Sequence, residues 1–280
     1  MKDVKGTTRV CGIIGNPVGH SVSPVLQNTL ADITGTELVY VPFKVEDNIK
    51  AAIEGAYALN VFGLNVTVPH KSAVIECLAD IDPIAASIGA VNTLVRTDRG
   101  YKGYNTDILG LKRELEEAGI ALGGRRVIIL GSAIYILNRT VSKAENIAAS
   151  VNEYFEADIA KAMDIADYAG LEGGGYVCIQ TTSVGLYPDT DKAPVEDEAF
   201  YKKIDAAVDI IYNPAVTKFM KLVKASGKAS DGTDKKAYNG LKMLLYQGVS
   251  AYELWNNVQI STQQSEEVYK AMCREMGIDE

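Results

Sequence analysis

Along the chain, short apolar runs alternate with longer segments whose apolar residues recur at helical spacing. RVCGIIG (9–15) is an apolar run closing on glycine and predicts a strand. SPVLQNTLADITG (23–35) opens at Ser-Pro and stops at glycine, the start and stop signals of a helix. ELVYVPFKV (37–45) predicts a strand, NIKAAIEGAYALN (48–60) a helix, GLNVTVP (63–69) a strand and HKSAVIECLA (70–79) a further helix. AVNTLVRTDRGYKGYNTD (90–107) predicts a hairpin and a turn, and ILGLKRELEEAG (108–119) an amphipathic helix. Beyond it come RRVIIL and IYILNR as strands, KAENIAASVNEYF as a helix, and YVCIQTT and AAVDIIY as strands. The polar stretch Ser226 to Gly240 predicts a loop, and the segments from Gly240 onward are strongly helical. Strands alternating with helices predict an α/β fold with mainly parallel sheets.

One place breaks the pattern. VIILGSAIYILNRT, Val127 to Thr140, sets two strand-like runs almost back to back. Parallel neighbours need the chain to return along a whole strand, which normally takes a dozen residues or more. Five strand residues cover ~17 Å, whereas three linking residues reach ~11 Å, so adjacent parallel pairing is not expected of a continuous chain. Three readings remain: a segment absent from the sequence as written, a chain that truly lacks a helix here, or a two-residue Gly131-Ser132 turn in an antiparallel hairpin. The first is favoured, because Gly131-Ser132 resembles the opening of a glycine-rich turn.

Composition narrows the field. With 280 residues the chain can form two domains, and 47% hydrophobic with 23% charged residues is ordinary for a globular protein. No apolar run approaches the ~20 residues of a membrane span, and the N-terminus lacks a secretory pattern. Cys11, Cys77, Cys178 and Cys273 are scattered without a CxxC pair, and only His20 and His70 accompany them. A metal site or disulfide framework is therefore not expected, and the reduced cytoplasm is. A net charge of −8 argues against nucleic acid or an anionic membrane as partner. The partner expected is a small molecule, bound by a monomer or a homodimer.

The chemistry lies in GNPVGHSVSP (15–24), NVTVPHK (65–71), GAVNT (89–93), GYNTD (103–107) and MLLYQG (243–248), with NRT at 138–140, TTSVG at 181–185 and YNP at 212–214. In this order the set resembles the shikimate dehydrogenases across nearly the whole chain. The resemblance implies NADPH-dependent, reversible reduction of 3-dehydroshikimate to shikimate in aromatic amino-acid biosynthesis. It implies a substrate-binding α/β domain at 1–107, a Rossmann-like nucleotide domain at 108–238 and C-terminal helices, 239–280, that return to the first domain.

Hydride addition to a ketone leaves an alkoxide that must gain a proton from a positioned acid. Lys71 follows a strand end and Asp107 precedes a helix; by resemblance they are the catalytic pair, and which one supplies the proton stays open. Ser21 and Ser23 offer hydroxyls to a carboxylate, although they could equally cap the helix that follows. Asn65, Thr67, Asn92 and Gln247 offer partners to ring hydroxyls, and Tyr212 is expected to line the cleft. The two histidines are assigned to structure.

For the cofactor, Asn138 stands where NAD enzymes carry an acid, and Arg139, Thr140 and Lys143 follow. A cation and a hydroxyl in place of an acid favour a 2′-phosphate, hence NADPH. Gly131 and Ser132 would begin the phosphate turn, and Gly240 joins the cofactor set. The family pattern there is a glycine-rich turn opening a helix, from which this sequence departs. Two alternatives follow: a quinate or dual quinate/shikimate dehydrogenase, and a non-catalytic shikimate-binding relative with impaired cofactor binding.

Overall fold

The computed structural model describes residues 4–123, 125–130 and 135–278, and the chain divides into two compact units. The first comprises residues 1–114 and 242–280, the second 115–241. In the first lie β1 (Arg9–Gly15), α1 (Ser23–Ile33), β2 (Leu38–Lys44), α2 (Ile49–Ala58), β3 (Gly63–Val66), β4 (Asp80–Ile81), α3 (Pro83–Ile88), β5 (Thr93–Thr97) and β6 (Gly100–Tyr104). Helix α4 (Asp107–Glu117) leads out of it, so the expected boundary at 107 coincides with the start of an element that runs across the division.

The second unit holds β7 (Val127–Leu130), β8 (Tyr135–Asn138), α5 (Val141–Phe155), β9 (Lys161–Asp164), β10 (Tyr176–Gln180), α6 (Glu198–Lys202), β11 (Ile204–Asp209), α7 (Lys218–Ala225) and β12 (Lys236–Asn239). Helices α8 (Leu241–Asn256) and α9 (Thr262–Met276) return the chain to the first unit.

The first sheet runs β2-β1-β3-β5-β6-β4, parallel from β2 to β3 and antiparallel across the β5–β6 hairpin. One face buries Leu64, Val66, Val74, Leu94 and Tyr101. Trp255 of α8 locks onto this sheet: its indole N–H donates to Leu94 O at 2.9 Å. A Cβ on Gly63 would meet the indole Cδ1 at 2.5 Å, so β3 carries glycine where the ring lies against it.

The second sheet, β12-β11-β10-β7-β8-β9, is parallel throughout. This is the strand order of a dinucleotide-binding fold, whose ligands bind beyond the carboxyl ends of the strands.

Four expectations are corrected. Strands β7 and β8 are adjacent and parallel, which overturns both the steric objection and the hairpin reading. The objection assumed a return along a whole strand, but Tyr135 pairs beside Ile128. The step from Leu130 back to Tyr135 is ~8 Å, within the ~17 Å that four linking residues can span. Next, the helix expected at 70–79 is a 3₁₀ turn, Ala73–Cys77. His70 and Lys71 are held outside helical geometry by tertiary bonds, Nε2 of His70 lying 2.7 Å from Val45 O and Lys71 O accepting from Val91 N at 2.8 Å.

The stretch 226–240 contains β12, whose partner β11 lies far back in the chain. Finally, β4, α3, β9, α6 and α7 were not foreseen. Helix α7 had a readable signal in Thr217, whose side chain accepts from Met220 N ahead of an amphipathic run.

Candidate active site

Within the first unit, three separate stretches converge on one carboxylate. The β5–β6 hairpin brings Asn92 beside the turn at 105–106, and α4 begins there with Asp107. Lys71 Nζ donates to Asp107 Oδ2 at 2.6 Å, and Asn92 Nδ2 donates to Asp107 Oδ1 at 2.8 Å. Both carboxylate oxygens are thus engaged by fixed donors. Lys71 and Asp107 side chains are 32% and 26% exposed, enough for a ligand to reach them. The ammonium carries three protons and spends one on Asp107, which leaves two for a ligand oxygen.

Asn92 is the centre of the constellation. Its oxygen accepts from Thr106 N at 2.7 Å and its nitrogen also approaches Gln247 Oε1 at 3.4 Å. Gln247 sits on α8, where its own nitrogen donates to Leu244 O at 2.9 Å. Helix α4 comes this close to α8 because of Gly110, where a Cβ would meet Met243 O at 2.6 Å and Gln247 N at 2.9 Å.

Asn65, on β3, has both amide protons committed, to Asn92 O and Thr93 Oγ1, each at 3.1 Å. Its oxygen accepts from Tyr40 at 2.7 Å. In this arrangement Asn65 shapes the site by holding its neighbour, and it has a lone pair to spare rather than a proton. Ser21 Oγ accepts from Ser23 N at 3.2 Å just ahead of α1, whose N-cap, Val22, makes no side-chain capping bond, while Ser23 and Thr67 show no hydroxyl partner among the described residues. His20 is exposed and His70 is buried against Val45.

In the second unit, a cavity of about 510 Å³ opens where β8 and β10 end, lined by Asn138, Arg139, Thr181, Thr182, Ser183 and Lys192 among others. Asn138 Oδ1 accepts from Thr140 N at 2.9 Å, which turns the chain into α5. Arg139 is exposed with no ion-pair partner among the described residues, and Thr140, the N-cap of α5, makes no side-chain capping bond. Lys143 follows one turn on, also exposed. A guanidinium, a free hydroxyl and an ammonium at a helix start suit a phosphate group.

Gly131 and Ser132 lie outside the described residues. Gly240 does not line this cavity; its lack of a side chain makes room for Ile210, whose Cα would stand 2.8 Å from a Cβ there. Tyr212 is partly buried in the second unit, and burial pushes its phenol up.

The loop at the wall of this cavity is held from beneath by a pair that no sequence motif marks. Gln180 and Asp209, both fully buried, end the adjacent strands β10 and β11. Gln180 Nε2 donates to Thr182 O, Val184 O and Asp209 Oδ1 at 3.1 to 3.3 Å. Asp209 also accepts from Ile211 N at 3.0 Å and Thr217 Oγ1 at 2.7 Å. Burial pushes the Asp209 carboxyl up to about 6, with these donors pulling part of the shift back. The signal available in sequence was their place at the ends of predicted parallel strands. Among the described residues, no cluster of potential ligands could hold a metal ion, and no helix is long and apolar enough to cross a membrane.

Comparison with known proteins yields one consistent result. The family model "Shikimate dehydrogenase substrate binding domain" matches residues 13–94. A shikimate dehydrogenase (NADP(+)) from Methanothermobacter thermautotrophicus is 39% identical over 283 residues, covering 90% of this chain and 92% of the relative. One from Bacillus cereus is 38% identical over 264 residues, covering 87% and 91%. A solved shikimate dehydrogenase in complex with NADP+ superposes with a TM-score of 0.86 at 33% identity, covering 98% of this chain and 97% of that one.

Proposed function

The chain belongs to the shikimate dehydrogenase family, and from that premise we propose how its own residues carry out the NADPH-dependent, reversible reduction of 3-dehydroshikimate to shikimate. The observation that carries the reading is the contact of Lys71 Nζ with Asp107 Oδ2 at 2.6 Å, backed by Asn92.

NADPH, when bound, supplies the hydride that reduces the ketone carbon. The chain's work is to seat the substrate and to manage one proton. Lys71 points its remaining donors at the carbonyl oxygen and protonates it as charge develops there. Asp107 holds the ammonium in place, and the neutral amine left after the transfer regains its proton from solvent. Asn92 fixes Asp107, so the relay does not have to be assembled during the reaction.

Ser21 and Ser23 take the substrate carboxylate; Thr67, Asn92 and Gln247 take ring hydroxyls, with Asn65 as support. A site built from such donors rejects analogues that lack a hydroxyl, because its buried polar groups would be left unpaired. Tyr212 completes the substrate set. On the cofactor side, Asn138, Arg139, Thr140 and Lys143 fit the 2′-phosphoadenosine end. We place the enzyme in the reduced cytoplasm, as a monomer or homodimer, a compartment consistent with its four free thiols.

Steady-state oxidation of shikimate and of quinate, each with NADP and with NAD, tests this reading. Shikimate with NADP should give the highest kcat/KM. Comparable rates with quinate would move the assignment to a dual-specificity enzyme, and no oxidation of either acid would leave a binding protein.

A further inference from the structure

Helix α1 turns one buried stripe, Ser23, Leu26, Gln27, Leu30 and Ala31, towards the rest of the first unit. Gln27 is the large polar member of that stripe, and it is 1% exposed. Its Nε2 donates to Gly248 O at 2.9 Å, a bond across 221 residues. Its Oε1 is buried and meets no hydrogen-bond partner among the described residues. A buried acceptor left unpaired carries a free-energy cost that a leucine or methionine of similar volume would not. The carbonyl that Gln27 serves lies inside α8, where the helix's own N–H groups answer carbonyls four residues back. Gly248 O therefore does not depend on a second donor, and stability alone does not call for an amide at position 27.

The bond instead fixes where α8 stands. At this point α1 and α8 approach so closely that a Cβ on Gly248 would meet Leu26 Cδ1 at 2.6 Å and Gln27 Nε2 at 3.3 Å. Just past the end of α1 the two helices are tied again, Thr34 Oγ1 lying 2.6 Å from the Tyr252 hydroxyl. On its other side α1 is held to β2 by Asn28, whose amide accepts from Tyr40 N at 3.0 Å and donates to Tyr40 O at 2.9 Å. Gln27 follows Ser23 by one turn on the same face of α1, and its partner Gly248 directly follows Gln247. The bond joins the helix that carries a hydroxyl proposed for the substrate carboxylate to the helix that carries an amide proposed for the ring hydroxyls.

We infer that Gln27 is a positioning residue of the substrate site: by holding α8 to α1 it sets the span between Ser23 and Gln247, and so selects a ring with a carboxylate at one end and hydroxyls at the other. The inference rests on the functional reading above for the roles of those two residues. Proton transfer stays with Lys71 and Asp107, which are held by each other and by Asn92. A change in the span weakens ground and transition states alike, which raises KM and leaves kcat in place.

Gln27→Leu and Gln27→Met in the full chain test this, with NADP saturating and shikimate varied. Both variants should melt no lower than the wild type, raise KM for shikimate by about fivefold or more and keep kcat within about twofold. Calorimetric titration with shikimate should show the same weakening without turnover. A smaller rise in KM, a fall in kcat that matches or exceeds it, a lower melting temperature, or failure of both variants to fold overturns the inference. A wild type that binds shikimate without oxidising it would contradict the functional reading alone, and the titrations would still decide the role of Gln27. A wild type that neither oxidises nor binds shikimate overturns both.

Discussion

At Asn92 the side-chain nitrogen donates to Asp107 Oδ1 at 2.8 Å while the oxygen accepts from Thr106 N at 2.7 Å, so one amide fixes both the carboxylate and the start of α4. Asn92 is 3% exposed, and removing its amide strands buried polar partners. Asn92→Ala should cost about 1–3 kcal/mol in urea unfolding and lower kcat as well. An effect on stability with full turnover would separate Asn92 from the relay.

Lys71→Ala should cut kcat by roughly 10²–10⁴ while shikimate affinity stays within about tenfold. Wild-type-like turnover would remove Lys71 from the chemistry. Asp209 carries a pH signature. Its carboxyl, raised by burial to about 6, favours the protonated folded state. That contribution is fully present below the unfolded value of about 4 and is lost as pH rises through about 6. Relative to Asp209→Asn, the wild type should lose roughly 2–3 kcal/mol of stability between pH 4 and pH 7. Parallel stability–pH curves for the two proteins would contradict it. The motifs marked Lys71, Asp107 and Asn92 in the sequence; Gln180 and Asp209 stood outside any readable motif, because their role is a contact made across 29 residues.

Among the elements, the approach of α4 to α8 at Gly110 decides the shape of the proposed substrate site. Gly110→Ala would gain helix propensity worth up to about 1 kcal/mol. Against that, the new Cβ would sit 2.6 Å from Met243 O and 2.9 Å from Gln247 N, both backbone atoms that cannot swing aside. Overpacking of this kind costs about 1–3 kcal/mol, so the net effect should be destabilising, with a raised KM for shikimate as Gln247 is displaced. Thermal melts and steady-state kinetics of Gly110→Ala check both.

Helices with a clear period, such as α1, α2 and α5, were legible to within a few residues. The 3₁₀ turn at Ala73–Cys77 was not, because His70 and Lys71 are pinned by Val45 and Val91 from other strands. Strand β12 was hidden in a polar stretch, since Lys236 to Asn239 becomes a strand only by pairing with β11.

For the molecule as a whole, two compact units predict two unfolding events. The proposed shikimate donors other than Tyr212 lie in residues 1–114 and 242–280. Shikimate at a hundred times its Kd should therefore stabilise that unit's transition by about 2.7 kcal/mol and leave the other unmoved. Differential scanning calorimetry with and without shikimate reads this directly; a uniform shift of both transitions would show that the substrate is held jointly.

The sequence by itself determined the α/β class, the order of most elements, the family and the motifs that carry the proposed catalytic pair, because each is written in local period and short spacings. Only the tertiary structure decided that β7 and β8 lie side by side, that Asn92 meets Gln247 across 155 residues, and that Gly110 admits α8. Pairing register and packing distance depend on residues far apart in the chain, and no local pattern encodes how far one strand slides along another.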